Sequence, residues 1–201
     1  MTAPALTAGP VRRRSSVFVA TAFAAAGATA LIGSMLAMWL DFRAKAPLRE
    51  SSDGSKMIKD WLKADVAVPE VASNTMMITF VAVCIMAQWA VYAARRADRS
   101  HAILALSITA AIGLALVNAQ VALYLQMGLV LRNDAYETLF YAVTGTMLAL
   151  IASGVVYSVV ALFRVWAGRL SDHDVLAAHA LYWYALSGMF LAVWFVVYVQ
   201  K

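Results

Sequence analysis

Five long apolar stretches constrain this chain more than any other feature, and none contains an Asp, Glu, Lys or Arg between its ends. They run over Val17–Leu40, Thr75–Ala94, Ala102–Leu125, Leu139–Phe163 and Val175–Val199. A bilayer core about 30 Å thick is crossed by about 20 residues rising 1.5 Å each. All five stretches reach that length, so the sequence predicts an all-α fold, a polytopic membrane helix bundle with five transmembrane helices. The same stretches exclude a good deal of chemistry. Ionisable residues at membrane depth mark proton paths, metal sites and substrate sites, and only His179 falls inside any stretch, near one end.

Composition supports the membrane class: 63% of residues are hydrophobic and 13% charged, against about 25% charged in a soluble domain. The expected organisation is a basic tail over residues 1–16 and a single five-helix domain over residues 17–201. Cys84 is the one cysteine and lies mid-span, so no internal disulfide forms. The net charge of +5 comes from the flanks of the spans, which is a topology signal and not a nucleic-acid-binding face. Arg12, Arg13 and Arg14 precede an apolar run containing Ala28-Thr29-Ala30, as in a secretory signal. Signal cores run about 7–15 residues, whereas this one continues to Leu40, so a retained spanning helix is expected.

Charge sets the orientation. The tail, the turn Arg95-Arg96-Ala97-Asp98-Arg99 and the connection holding Arg164 and Arg169 fall on one side if every stretch spans. The opposite side receives residues 41–74, residues 126–138 and Lys201. Each side carries eight Lys and Arg, but the six in residues 41–74 are matched by six acids. The short basic connections therefore place the N-terminus in the cytoplasm and the C-terminus outside. Within residues 41–74, Met57, Ile58, Trp61 and Leu62 fall on one helical face, opposite Lys56, Lys59, Asp60 and Lys63. That spacing predicts a short amphipathic helix, resting on the membrane with Trp61 as an interfacial anchor or docked on a partner subunit. Pro47 and Pro69 bound the segment.

Small residues recur at Gly27 and Gly33, and at Gly145, Ser153 and Gly154. They let helix backbones approach closely, within the bundle or against a neighbouring subunit. Haem needs axial His, Met or Cys, and copper needs clustered His, Cys or Met. His101, His173 and His179 include no pair at i and i+4, and the ten methionines read as apolar packing. No catalytic, cofactor-binding or metal-binding residue is expected. The polar side chains within the spans, Gln88, Asn118 and Gln120, are candidates for interhelical contacts, with Gln88 bonding to one of the other two. No span contains a proline, which argues against the broken helices of transporters.

The second half carries short motifs that resemble a known family. Phe140-Tyr141-Ala142-Val143-Thr144-Gly145 resembles the opening of a late helix of cytochrome c oxidase subunit III, and Leu181-Tyr182-Trp183-Tyr184 resembles its final Tyr-Trp-His segment. Gln88 to Arg96 looks like the helix end and basic turn of the compact five-helix bacterial form, and Ala119-Gln120 with Tyr124 fits the next helix end. The departures fall where that family carries polar residues: Met147 and Leu150 replace two histidines, Tyr184 a third, Leu123 a glutamate, and Ser187 an acid. The resemblance implies a divergent, noncatalytic subunit of a haem–copper respiratory oxidase in a bacterial inner membrane. Haem and copper would lie in a partner subunit. The implied partners are a catalytic subunit I-like chain, other respiratory-complex subunits within a supercomplex, and membrane lipids. An accessory subunit of a nitric oxide reductase keeps the fold and changes the complex; a small transporter would require a polar pore lining.

Overall fold

The computed structural model describes residues 15–51, 54, 56–62, 66, 68–129 and 134–200. Arg12, Arg13 and Arg14 of the basic tail lie outside the described residues. Helices α1 (Ser16–Lys45), α2 (Glu70–Arg95), α3 (Arg99–Met127), α4 (Ala135–Trp166) and α5 (His173–Val193) follow the five apolar stretches, and α5 runs on as a π-helical segment to Val199. All five are long and apolar enough to cross a membrane, and the chain is a multi-pass membrane protein.

The helix ends extend past the uncharged stretches because cheap local bonds close them. Asp98 caps α3, its carboxylate accepting from the His101 backbone N–H at 3.1 Å. Asp134 caps α4 and accepts from the Ala135 N–H at 2.7 Å. Helix α2 ends in paired backbone bonds, Asp98 N–H to Ala93 C=O and Ala97 N–H to Ala94 C=O. This termination needs one left-handed residue, here Ala97 with φ 56°. Helix α4 ends by the same pair of bonds around Gly168, with φ 86°.

Helix α5 packs against α1, α2 and α4, while α3 lies between α2 and α4. Helix α1 is the most exposed to the surroundings and α5 the most covered. The outer faces carry large apolar side chains such as Phe23, Ile78, Leu114 and Leu125. For a chain in lipid those faces meet a solvent as apolar as themselves.

Between α1 and α2 the structure departs from expectation. Residues Met57–Lys59 form strand β2, paired antiparallel with β1 (Leu48–Glu50), so that Arg49 faces Ile58. No amphipathic helix forms among the described residues of that segment. A helix of nine residues is marginal without a packed face, and Met57 and Ile58 stay exposed. The hairpin is fixed instead by long side chains: Arg49 pairs with Asp60 at 3.1 Å and donates to the Leu62 carbonyl at 2.9 Å, and Lys59 donates to the Ala44 carbonyl at 2.7 Å. Trp61 is likewise not an outward anchor. It is 6% exposed and packs edge-on to Trp39, with centroids 5.1 Å apart, and to Tyr136 at 5.6 Å. Burial of its large ring within the protein outweighs the preference of tryptophan for the headgroup layer.

Candidate functional site

A closely packed polar group inside the spans lies where α3, α4 and α5 meet. Gly113 is the middle residue of α3, and Gly154 faces it from α4. The six-membered ring of Trp183 on α5 fills the slot between them. A Cβ at Gly113 would lie 3.0 Å from Trp183 Cη2 and 2.9 Å from Val155 Cγ2; one at Gly154 would lie 3.1 Å from Trp183 Cζ2. Only a hydrogen at both positions leaves room for the indole.

The polar edge of that indole meets two partners. Trp183 Nε1 lies 3.0 Å from Ser158 Oγ and 3.1 Å from His179 Nε2. Ser158 Oγ is also 2.8 Å from His179 Nε2 and 2.9 Å from the Gly154 carbonyl. One assignment uses every donor at these atoms. Trp183 N–H donates to Ser158, Ser158 O–H donates to Gly154 C=O, and His179 Nε2–H donates to Ser158. It leaves His179 Nδ1 a bare acceptor, and that atom has no partner among the described residues. His179 thus turns toward Ser158 and Trp183. The structure does not bring it to His173, which starts the same helix six residues earlier.

The other predicted polar residues separate into three fates. Gln88 Oε1 accepts from the Tyr184 hydroxyl at 3.0 Å, which joins α2 to α5. Gln120 is buried and its amide lies 3.5 Å from the Tyr198 hydroxyl. Asn118 is exposed on α3 and has no hydrogen-bond partner among the described residues. Neither Asn118 nor Gln120 bonds to Gln88. The expected pairing fails because tyrosines on the last helix reach both glutamines first. Tyrosine hydroxyls are missed when tyrosine is counted with the apolar residues. Tyr124 OH donates to Thr144 at 2.9 Å, and Tyr182 OH lies 2.6 Å from Ser153 and 3.1 Å from the Leu150 carbonyl. Glu137, in the first turn of α4, is 4% exposed.

Of the glycines singled out from sequence, Gly154 is the one closely packed within the bundle. A Cβ at Gly145 would meet only the Tyr124 hydroxyl, at 4.0 Å, and Gly27 and Gly33 face open space. The five departures from the family pattern divide by depth: Leu123 and Met147 are buried among apolar neighbours, Leu150 and Ser187 are half-buried, and Tyr184 is the donor to Gln88. Among the described residues no three of His, Cys, Asp or Glu come together as a metal-ligand group.

At the short-turn end, the Asp98 carboxyl is held below the usual carboxylate range. The His101 backbone N–H is the largest cause, joined by the His101 imidazole 2.6 Å away. Arg164 pairs with Asp172, and Arg99 donates to the Trp166 carbonyl, so adjacent connections are tied together.

No curated protein matches the chain. The family model for cytochrome c oxidase subunit III matches residues 65–201, which takes in α2 to α5 whole. With five apolar helices, that motif order and a match over most of its length, the chain belongs to the cytochrome c oxidase subunit III family.

Proposed function

We propose that this chain is a noncatalytic scaffold subunit of a haem–copper terminal oxidase, packed in the membrane against the subunit that carries haem and copper. The observation that carries this reading is the pairing of three polar side chains of the spans with neighbours within the protein. His179 is turned to Ser158 and Trp183, Gln88 to Tyr184, and Gln120 to Tyr198. A redox centre or proton path needs such groups directed at a metal, a water chain or one another across the membrane. Here they join helix to helix, which suits a rigid wall beside a catalytic chain.

The same reading places the chain in the plasma membrane of a bacterium. Arg95, Arg96, Arg99, Arg164 and Arg169 gather at the end that holds both short connections, so that end faces the cytoplasm and the hairpin faces out. The departures Leu123 and Met147 make the interior more apolar than the family pattern, which favours a structural role over proton handling.

Extraction in a mild detergent, followed by affinity purification and an absorbance spectrum, tests the proposal. Haem-bearing subunits should co-purify in fixed proportion, and the isolated chain should carry no haem band. Stoichiometric haem on the isolated chain would overturn it. Mass spectrometry of the co-purified catalytic chain separates an oxidase from a nitric oxide reductase.

A further inference from the structure

Two indole nitrogens, those of Trp39 and Trp61, are buried, and neither N–H has a hydrogen-bond partner among the described residues. Trp39 is fully covered and Trp61 is 6% exposed. Other tryptophans of the chain are served by oxygen: Trp183 donates to Ser158 at 3.0 Å and Trp194 to Asn74 Oδ1 at 2.9 Å. A buried donor left unmet forfeits the hydrogen bond it makes to water in the unfolded chain. In folded proteins such groups are paired almost without exception, with protein or with ordered water. Two unmet donors side by side therefore call for an acceptor.

The two rings touch, and a third closes the group. Trp39 comes from near the end of α1, Trp61 from the chain just after β2, and Tyr136 from the first turn of α4. The indoles meet edge-on with centroids 5.1 Å apart, and the Tyr136 ring stands 5.2 Å from Trp39 and 5.6 Å from Trp61. Asp41 follows Trp39 closely, where the first uncharged stretch ends, and Tyr136 comes just before Leu139, where the fourth begins. The three rings therefore lie at the hairpin end of the spans, at the level where hydrocarbon gives way to water.

We infer that a water molecule is bound among Trp39, Trp61 and Tyr136, accepting from both indole N–H groups. A ring face is only a second-order acceptor, and the single edge-on contact between the indoles serves one N–H, not two. An anion would need positive charge nearby. Arg49 of the hairpin is engaged by Asp60 and the Leu62 carbonyl, and Tyr136 is followed by the buried acid Glu137. Water needs no counter-charge, is at hand at this depth, and makes about three bonds to buried groups that lack other partners. The bridge ties the hairpin to α1 by hydrogen bonds in addition to ring packing. It stands independently of which catalytic subunit the chain accompanies.

Indole proton–nitrogen NMR spectra of the full chain in detergent test the inference, with the six tryptophans labelled and two of them assigned through Trp39→Phe and Trp61→Phe. In the unaltered chain both N–H signals should lie downfield, as for Trp183 on its oxygen acceptor. Both should also show dipolar cross-peaks to water, and Trp183 should show none. Trp39→Phe keeps a ring and removes one donor, so the water cross-peak at Trp61 should fall about fivefold, the loss of one ordinary hydrogen bond. An unmoved Trp183 signal in that variant reports an intact bundle. Upfield N–H signals would mark donation to a ring face and overturn the site. So would a missing water cross-peak at either indole, an equal cross-peak at Trp183, or an undiminished one at Trp61 in Trp39→Phe. Exchanging chloride for gluconate should leave both signals in place; signals that track chloride would make the acceptor an anion and overturn the assignment to water.

Discussion

Trp183 lies with its indole N–H 3.0 Å from the Ser158 hydroxyl, so an aromatic ring on the last helix is hydrogen-bonded to the helix whose glycine makes room for it. Packing and polarity act at one point. The ring can reach Ser158 only because Gly113 and Gly154 carry no side chain.

Gly113→Ala tests the packing half. Its methyl would sit 2.9 Å from Val155 and 3.0 Å from Trp183, and both neighbours are held by other helices. Overpacking of this kind costs about 1–3 kcal/mol. Thermal unfolding in detergent should show that loss, whereas Gly27→Ala, inside α1 and meeting nothing within 4 Å, should leave the midpoint unmoved or raise it slightly. Equal stability of the two variants would mean that the slot relaxes freely.

A double-mutant cycle of Trp183→Phe and Ser158→Ala tests the polar half. Ser158→Ala leaves the Trp183 and His179 N–H groups without their acceptor, at about 1–3 kcal/mol, whereas Trp183→Phe removes one of the two donors at Ser158 and leaves His179 in place. The double variant should lose less than the sum, with a coupling of about 0.5–3 kcal/mol for groups in one network. Additive losses would show that the 3.0 Å contact contributes nothing of its own.

Ala97→Gly should stabilise the turn between α2 and α3. Ala97 holds φ 56° because the α2 termination demands a left-handed residue, and an L-residue there costs roughly 1–2 kcal/mol. Glycine removes that strain but adds freedom to the unfolded chain, so the net gain should be about 1 kcal/mol or less. The same change at Ala167, which has φ −77°, should destabilise.

Much of this was legible beforehand, for a clear reason. Membrane helices are dictated by length and the absence of charge, both of which are local properties, so all five were visible in sequence. The termination at Ala97 was not, because alanine gives no left-handed signal where glycine at 168 does. The hairpin was misread because Met57, Ile58, Trp61 and Leu62 fit a helical face, while the Arg49, Asp60 and Lys59 contacts that decide the matter join residues distant in sequence. The Trp183 slot needs three helices at once. Gly113 alone says nothing until α5 brings an indole to it.

Asp98 makes the turn sensitive to acid. Folding lowers its carboxyl below the usual range, chiefly through the His101 backbone N–H, so the unfolded chain takes up the proton more readily. The stability this contributes is complete above the ordinary Asp value, about pH 4, and is lost as pH falls through the lowered folded value. An acid titration followed by unfolding midpoint should therefore drop less steeply below about pH 4 in Asp98→Asn than in the unaltered chain. Superimposable acid limbs would remove Asp98 from the account.

Trp61 distinguishes a hairpin locked to the bundle from a segment lying on the membrane. Its ring packs edge-on to Trp39 and Tyr136, so Trp61→Ala opens a cavity beneath the hairpin. Large aromatic truncations in packed sites cost about 3–5 kcal/mol. Here that loss should be local, appearing as faster protease cleavage between β1 and β2 with helical circular dichroism preserved. Met57→Ser, which alters an exposed side chain on the same hairpin, should leave cleavage unchanged. If Met57→Ser accelerated cleavage as much as Trp61→Ala, the segment would be held by its outward apolar face and not by the Trp39 contact.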